Sequence, residues 1–197
     1  NGFVTTWYDQ SGNANNATNS TAVNQPQIVS SGAMILINGK PSVQFDGSND
    51  ILNLGTIITA GTSSFNSFVA KRAASGDNFW ALSEKDGTGY LLGSISNTYY
   101  YQPKTTQYQA SSSTDTTTNQ LLITGQNNAG TMAIFKNGGT ITSTASNLTY
   151  SPTIDSIGRY SGLFSKCNIQ ETIFYNTNQS TNRTGIESNI NTFYTIY

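Results

Sequence analysis

The chain has 197 residues, with 9 Lys and Arg against 10 Asp and Glu, a formal net charge of −1 and no histidine. This balance provides no basic surface for nucleic acid, and we expect no nucleic-acid partner. The longest apolar run, at residues 33–37, is far below the ~18 residues of a membrane-spanning helix, so we expect no membrane insertion. Charged residues make up only 10% of the chain, and Asn, Ser and Thr dominate its polar side chains. These short side chains favour turns and pleated surfaces over helix interiors, which indicates a β protein.

A single domain over residues 1–197 fits the length of the chain, in which we find no linker and no repeat. The one cysteine, Cys167, has no partner for an internal disulfide, so we expect a small buried apolar residue. The chain begins at Asn1 rather than at Met, and we expect it to be a fragment or processed part of a longer protein.

Along the chain, short runs of apolar residues, or of alternating apolar and polar residues, recur. Turn-forming residues follow many of these runs. Asn38-Gly39, for example, tolerates the positive φ angles of a tight hairpin. Many short strands at near-regular spacing, with no helical pattern between them, indicate a sandwich rather than alternating strands and helices. We predict strands within residues 27–29, 34–37, 42–45, 67–70, 79–82, 90–95, 99–101, 121–124, 132–135 and 168–175.

The last segment differs from the rest, because its apolar residues are three and four positions apart, as on one face of a helix. They are Ile186, Ile190, Phe193, Tyr194 and Tyr197. We predict a short C-terminal helix with Ser180 or Thr181 as its N-cap. Gly185 and several β-branched residues weaken this helix, so it must dock on a sheet to persist.

Three N-terminal segments resemble the opening of the laminin-G-like, concanavalin A-like jelly-roll domains. They read Trp-Tyr-Asp-Gln-Ser-Gly-Asn at 7–13, Gln-Pro-Gln-Ile-Val at 25–29 and Asn-Gly-Lys-Pro-Ser-Val-Gln-Phe-Asp-Gly-Ser-Asn-Asp at 38–50. Residues 133–138 and 168–176 resemble two later strands of the same family. The resemblance covers essentially the whole chain and implies an all-β fold, a two-sheet antiparallel jelly-roll sandwich. Such domains occur in bacterial secreted proteins and in tail or fibre proteins of phages.

Residues 7–13 also resemble a segment in the catalytic domain of fungal-type arabinofuranosidases that share this fold. In those enzymes the segment is a fold element, so the resemblance implies no activity. We expect Trp7 to pack in the core, and Asp9, Ser11, Gly12 and Asn13 to shape a turn.

The carboxylates argue against an enzyme. Glycosidic hydrolysis needs two carboxyl groups with different pKa values, and none of the chain's ten forms the Glu-x-Asp-x-x-Glu signature of glucanases of this fold. The chain also lacks the histidine of the commonest general base and of the His and Tyr pair in jelly-roll lyases. We therefore expect no catalysis. The alternative is a glycoside hydrolase or polysaccharide lyase of the same fold, with Glu171 or Glu84 as the acid.

Sugar binding needs flat aromatic faces together with amides and hydroxyls, and the sequence is rich in both. In a strand, Tyr99 and Tyr101 share one face and Tyr100 takes the other. One hypothesis is therefore a ligand-binding surface at Tyr99, Tyr100, Tyr101, Tyr90, Tyr108 and Trp80. The alternative is that these aromatic residues fill the core of a two-layer sandwich.

Calcium is a further expectation that comes from the resemblance, because many domains of this fold hold Ca²⁺ near the Phe-Asp-Gly turn. The resemblance assigns Asp46, Asn49 and Asp50 as ligands. Gln170 stands where the family usually has Asp, and the loss of that charge should weaken a site for a hard cation.

The sequence thus predicts a non-catalytic, lectin-like domain for recognition or attachment, whose partner is a glycan or cell-surface polysaccharide. We place it outside the cell or on a virion, on a phage tail or fibre or on a secreted bacterial surface protein. The alternative is a structural module that contacts copies of itself or other surface proteins through an apolar patch.

Overall fold

The computed structural model describes residues 1–60, 63–86, 91–104, 108–112, 116–128, 130–145 and 153–197. Side chains are described for all of these except residues 65–68, 70–72, 91, 103–104 and 108–112. Among the described residues, no helix is long and apolar enough to cross a membrane.

The described residues form short strands, one 3-10 turn at Ala22–Asn24 and one α-helix, α1, at Arg183–Tyr194. The strands are β1 (Gly2–Phe3), β2 (Thr6–Trp7), β3 (Ala17–Thr18), β4 (Gln27–Ser30), β5 (Ala33–Met34), β6 (Leu36–Ile37), β7 (Lys40–Pro41), β8 (Val43–Asp46), β9 (Leu52–Thr59), β10 (Ser64–Arg72), β11 (Phe79–Ser83), β12 (Leu91–Ile95), β13 (Thr98–Lys104), β14 (Tyr108–Ser112), β15 (Gln120–Asn128), β16 (Thr131–Lys136), β17 (Gly139–Ala145), β18 (Thr153–Ile157), β19 (Arg159–Tyr160), β20 (Leu163–Phe164) and β21 (Lys166–Tyr175).

In the part of the chain that the structure describes, two antiparallel sheets make up the sandwich. The first has nine strands in the order β1-β4-β8-β21-β10-β15-β16-β17, with β5 beside β4. The second has eight strands in the order β14-β13-β12-β11-β18-β9-β3-β2. The main core contains buried side chains of both sheets, such as Phe45, Ile123 and Ile169 of the first and Leu52 and Leu92 of the second. The predicted all-β sandwich is therefore confirmed.

Two-residue turns with positive φ at both positions close several hairpins. Asn38 and Gly39, with φ of 48° and 73°, join β6 to β7, as the sequence predicts. Asn137 and Gly138, with φ of 51° and 78°, join β16 to β17 in the same way. This turn geometry matches the right-handed twist of the paired strands and fixes their register.

The predicted strand at residues 34–37 is two strands with different partners. Met34 of β5 pairs with Val29 of β4, whereas Ile37 of β6 pairs with Lys40 of β7. The chain leaves the first sheet between them to make the β6–β7 hairpin. An apolar run alone does not reveal such a change of partner.

The C-terminal helix docks on the outer face of the first sheet, where Ile190 and Tyr194 pack with Val69 and Leu122. The helix is confirmed, but Ser180 and Thr181 were wrong as N-caps. The N-cap is Asn182, whose side chain makes no capping hydrogen bond to the helix. Residues 180–182 form the preceding turn, in which the Ser180 N–H donates to Asn178 Oδ1.

The predicted apolar face of the helix is only partly buried. Phe193 and Tyr197 are 55% and 54% exposed. Tyr197 lies beyond the end of the helix, because Thr195 adopts a left-handed conformation there. Cys167 is buried in the main core, as predicted, and burial raises the pKa of its thiol.

Candidate functional site

A cleft of about 720 Å³ lies between β21 of the first sheet and the segment that includes β2, β3 and their loop at the edge of the second sheet. Strand β8 pairs with β21 only as far as Ile169, and β21 continues to Tyr175. The continuing stretch, residues 170–176, forms one wall, and the loop of residues 8–16 between β2 and β3 forms the other. The lining residues are Trp7, Tyr8, Asp9, Gln10, Ser11, Asn13, Asn15, Ala17, Leu54, Ile58, Leu82, Ile157, Gln170, Glu171, Thr172, Ile173, Phe174, Tyr175, Asn176 and Tyr194.

Asp9 organises the 8–16 loop. Its carboxylate accepts hydrogen bonds from the Ser11 N–H at 2.8 Å, the Ser11 hydroxyl at 2.8 Å and the Asn15 N–H at 3.0 Å. These bonds, led by those from the backbone N–H groups of Ser11 and Asn15, hold the pKa of Asp9 below its ordinary value. The prediction that Asp9 shapes a turn is confirmed, and the charge stays fixed at the mouth of the cleft.

Asn16 fastens the same loop to the second sheet. Its Oδ1 accepts the Asp9 N–H at 2.9 Å, and its carbonyl accepts the Gly55 N–H of β9 at 3.1 Å. On the opposite wall, Asn176 Nδ2 donates to the carbonyl of Thr59 at the end of β9, at 3.1 Å. Both walls are therefore tied to β9, which limits how far they can move apart.

Aromatic rings occupy both walls. Trp7 and Phe174 are half-buried and pack against the main core, which confirms the prediction for Trp7. Tyr8 is 66% exposed and Tyr175 is 38% exposed. The cleft thus combines anchored rings with rings that are open to solvent.

The floor of the cleft is apolar, with side chains from the second sheet such as Leu54, Leu82 and Ile157. Amides and hydroxyls surround it on the walls, among them Gln10, Asn13 and Asn15. An apolar floor with a polar margin is the usual composition of a small-molecule site.

Glu171 brings a second carboxyl group to the cleft. It is half-buried, and burial raises its pKa, an effect that a hydrogen bond with Tyr194 opposes. Burial likewise raises the pKa of Tyr194, which lies on α1. Glu84, the other acid considered from the sequence, does not line the cleft.

The prediction of an aromatic ligand-binding surface at residues 99–101 was largely wrong. Tyr99 and Tyr101 do share one face of β13, but that face is the core, where they are 2% and 0% exposed. Tyr101 shares a hydrogen bond of 2.8 Å with buried Ser64, and the Tyr99 ring meets Phe79 edge-on at 6.0 Å.

The opposite face of β13 is covered as well. Trp80 is 0% exposed and pairs with Tyr160 at 6.0 Å between ring centroids, and half-buried Tyr100 packs against both. Tyr99, Tyr101 and Trp80 therefore offer no ring face to a ligand. Tyr90 lies outside the described residues, and so does the side chain of Tyr108.

Two of the predicted calcium ligands, Asp46 and Asp50, accept hydrogen bonds from backbone N–H groups of their own turn. Asp46 Oδ1 accepts the N–H groups of Ser48 and Asn49, at 2.7 and 3.3 Å, and Asp50 Oδ2 accepts the Asp46 N–H at 2.9 Å. Among the described residues, no three His, Cys, Asp or Glu side chains gather in a metal-binding group. The calcium site stays a prediction that rests on Asp46, Asn49 and Asp50.

Gln170 lies away from that turn. Asp46 pairs with Lys166, and four residues of extended strand separate Lys166 from Gln170, roughly 13 Å. Gln170 Nε2 instead donates to the carbonyls of Ile37 and Lys40, both at 3.1 Å. The glutamine at this position therefore holds the β6–β7 hairpin.

No protein-family model matches the chain, and no curated protein matches its sequence. Its structure resembles the binding domain of botulinum neurotoxin DC in complex with SialylT, with a TM-score of 0.54 and 12% identity. It also resembles the ligand-binding domain of botulinum neurotoxin serotype D in complex with N-acetylneuraminic acid, with a TM-score of 0.55 and 14% identity. A third neighbour is a mutant GH54 α-L-arabinofuranosidase soaked with 4-nitrophenyl α-L-arabinofuranoside, with a TM-score of 0.64 and 16% identity.

These three matches cover 98%, 98% and 95% of the chain, and the chain spans half the length of each solved structure. The fold is consistent with the concanavalin A-like, lectin-type sandwiches. Sequence identities of 12%, 14% and 16% show a shared fold and nothing about function. None of the three is a phage protein by description, so the predicted phage or virion origin gains no support from them.

The cleft contains residues that the sequence did not mark as a binding site, among them Tyr8, Gln10, Asn15, Tyr175 and Asn176. The one signal available was the aromatic pair at the start of the Trp7–Asn13 motif, where Tyr8 follows Trp7. A turn that needs Trp7 in the core leaves the next residue pointing outward, because side chains alternate along an extended chain.

Proposed function

We propose that this chain is a carbohydrate-binding domain without catalytic activity, and that the cleft between the 8–16 loop and residues 170–176 is its binding site. The observation that carries the proposal is the lining of the cleft. Exposed Tyr8 and Tyr175 accompany amide and hydroxyl side chains over an apolar floor. Aromatic faces suit the apolar side of a sugar ring, and the amides suit its hydroxyl groups.

The structural neighbours support this proposal in general terms. Two are toxin binding domains in complex with SialylT and with N-acetylneuraminic acid, and one is an arabinofuranosidase; each shares this fold over half of its length. We propose, by analogy, a glycan or cell-surface polysaccharide as the partner and an extracellular location for the domain. The activity of any longer protein that contains this chain would be set by its other parts as well.

The two carboxyl groups of the cleft support binding rather than hydrolysis. A general acid must give its proton to the leaving group, and a general base must be basic enough to take one. Hydrogen bonds from its own loop lower the pKa of Asp9 and so weaken it as a base, and Glu171 is hydrogen-bonded to Tyr194. We therefore assign these groups to the architecture of the cleft.

A glycan array tests the proposal, followed by calorimetric titration of the best soluble glycan into wild type and Tyr8→Ala. Loss of an exposed ring that stacks on a sugar should weaken binding by about tenfold, or ~1.4 kcal/mol. Tyr197→Ala is the matched control, because Tyr197 is similarly exposed and does not line the cleft. Equal affinities for wild type and Tyr8→Ala would place the binding site elsewhere.

The alternative function, a structural module that contacts other proteins, is favoured by a separate surface near α1. Leu36 of β6 and Phe193 of α1 are 51% and 55% exposed, and Lys40 of the β6–β7 hairpin lies over the Phe193 ring at 4.0 Å. A self-associating domain that binds no glycan on the array would support this alternative. Light scattering on the purified domain distinguishes the two.

A further inference from the structure

We infer that the cleft takes uncharged glycans and discriminates against glycans that carry a carboxylate or sulfate. This inference rests on the proposed function and adds the chemical class of the ligand. Its basis is the sign of the charges that the chain places around the site.

Among the described residues that line the cleft, the charged side chains are both acidic. Asp9 stands on the loop wall and Glu171 on the strand wall, and the other described lining residues are uncharged. An anionic sugar in the cleft would therefore face negative charge without a lysine or arginine from the described lining to receive its acid group.

The charge of Asp9 is fixed by geometry. Three donors, the N–H and hydroxyl of Ser11 and the N–H of Asn15, converge on its carboxylate at 2.8 to 3.0 Å. They stabilise the ionised form, so Asp9 stays negative at neutral and mildly acidic pH. The same carboxylate can still accept a hydroxyl of a neutral sugar at Oδ1, which accepts only one of the three bonds.

Several lysine and arginine side chains near the first sheet and the helix interact with groups outside the cleft lining. Arg183 forms an ion pair with Glu187, Lys166 pairs with Asp77 at 3.7 Å, and Lys40 stacks on Phe193. Residues 1–39, which include the whole loop wall, contain no lysine or arginine. The negative charge at the loop wall therefore has no lysine or arginine side chain in its own segment to balance it.

Matched pairs of immobilised glycans test the inference. The probes are lactose and 3′-sialyllactose, methyl-esterified and de-esterified homogalacturonan, and xylan and glucuronoxylan. At low salt we expect the neutral member of a bound pair to bind about tenfold more tightly than its anionic partner. The reason is that the negative charge of the cleft repels the acid group of the anionic glycan. The gap should narrow at about 0.5 M NaCl, where the Debye length falls to a few ångströms.

Two variants assign the effect to the cleft. Asp9→Asn removes one negative charge and should reduce the neutral-to-anionic affinity ratio several-fold. Gln10→Lys adds a cation at the rim without touching the hydrogen bonds of Asp9, and it should shift the ratio in the same direction. Asp86→Asn removes an exposed carboxylate outside the lining and should leave the ratio as in wild type.

The outcomes separate the two proposals. Equal or tighter binding of the anionic members overturns this inference and leaves carbohydrate binding in place. An unchanged ratio in both Asp9→Asn and Gln10→Lys also overturns it. A folded protein that binds no glycan of either class contradicts the proposed function and this inference together.

Discussion

Asp50 carries a carboxyl group in a buried position behind the Asp46-Gly47 turn, where it is 5% exposed. Burial raises its pKa from 3.8 to about 6, helped by the negative charge of Asp46 and opposed by the hydrogen bond from the Asp46 N–H. The folded protein therefore holds this proton more tightly than the unfolded chain does. The contribution of Asp50 to the free energy of unfolding is greatest at a pH below 3.8. It falls as the pH rises towards about 6.

Asp50→Asn should remove this dependence. Between about pH 4 and pH 7 the wild type should lose up to about 2 kcal/mol of unfolding free energy relative to the variant, since one pKa unit corresponds to ~1.4 kcal/mol. Urea unfolding at several pH values measures the difference, with Asp86→Asn as a control for an exposed carboxylate. Parallel stability curves for wild type and Asp50→Asn would show that burial does not govern this group.

Gly93 occupies a position in β12 that admits no side chain. It pairs with Trp80, and a Cβ atom there would lie 2.9 Å from the Trp80 Cα and closer still to the carbonyl oxygen of Phe79. Both obstacles are backbone atoms, so a side chain cannot be accommodated by a change of rotamer. Glycine is therefore a packing requirement of this strand.

Gly93→Ala should destabilise the domain by about 3 kcal/mol, because the β11–β12 pairing must move to accept the methyl group. Gly55→Ala is the matched control in a strand of the same sheet, where the nearest atom to a new Cβ is the Asn16 carbonyl oxygen at 3.8 Å. Its effect should stay within about 1 kcal/mol, and chemical denaturation compares the two. Similar losses in both variants would contradict the packing argument.

At the scale of the element, periodicity predicted where strands and the helix lie, but it did not predict what covers them. The alternation of Tyr99, Tyr100 and Tyr101 was correct. Tyr101 is buried because Gly125 of the facing sheet leaves room for its ring, 2.6 Å from where a Cβ would stand. Tyr100 is covered because Tyr160, remote in sequence, packs beside Trp80. Neither neighbour can be identified from the tyrosine run.

Helix α1 offers a direct test of local propensity. Gly185 lies in its first half, and a Cβ there would have no atom within 4 Å. Gly185→Ala should therefore stabilise the domain by about 0.5–1 kcal/mol, because glycine costs a helix that much relative to alanine. Thermal unfolding measures the gain. A lower melting temperature would mean that Gly185 makes a contact which the described structure does not contain.

At the scale of the whole molecule, the sandwich was predictable because many short strands and the resemblance to concanavalin A-like domains agree. The cleft was not, because its walls come from opposite ends of the chain. Residues 8–16 and 170–176 meet only through the order β8-β21-β10 in one sheet and β9-β3-β2 in the other. The motif at Trp7 was correctly interpreted as a turn, and its second role as a cleft wall depends on that topology.

The most direct test of the binding cleft uses the two tryptophans of the chain. Trp7 lines the cleft, whereas Trp80 is wholly buried beside Tyr160, and each gives one indole N–H resonance. During a titration with the best neutral glycan, the Trp7 resonance should shift progressively to saturation while the Trp80 resonance stays in place. A saturated complex in which Trp7 does not move, or in which only Trp80 moves, would contradict the assignment of the cleft as the glycan site.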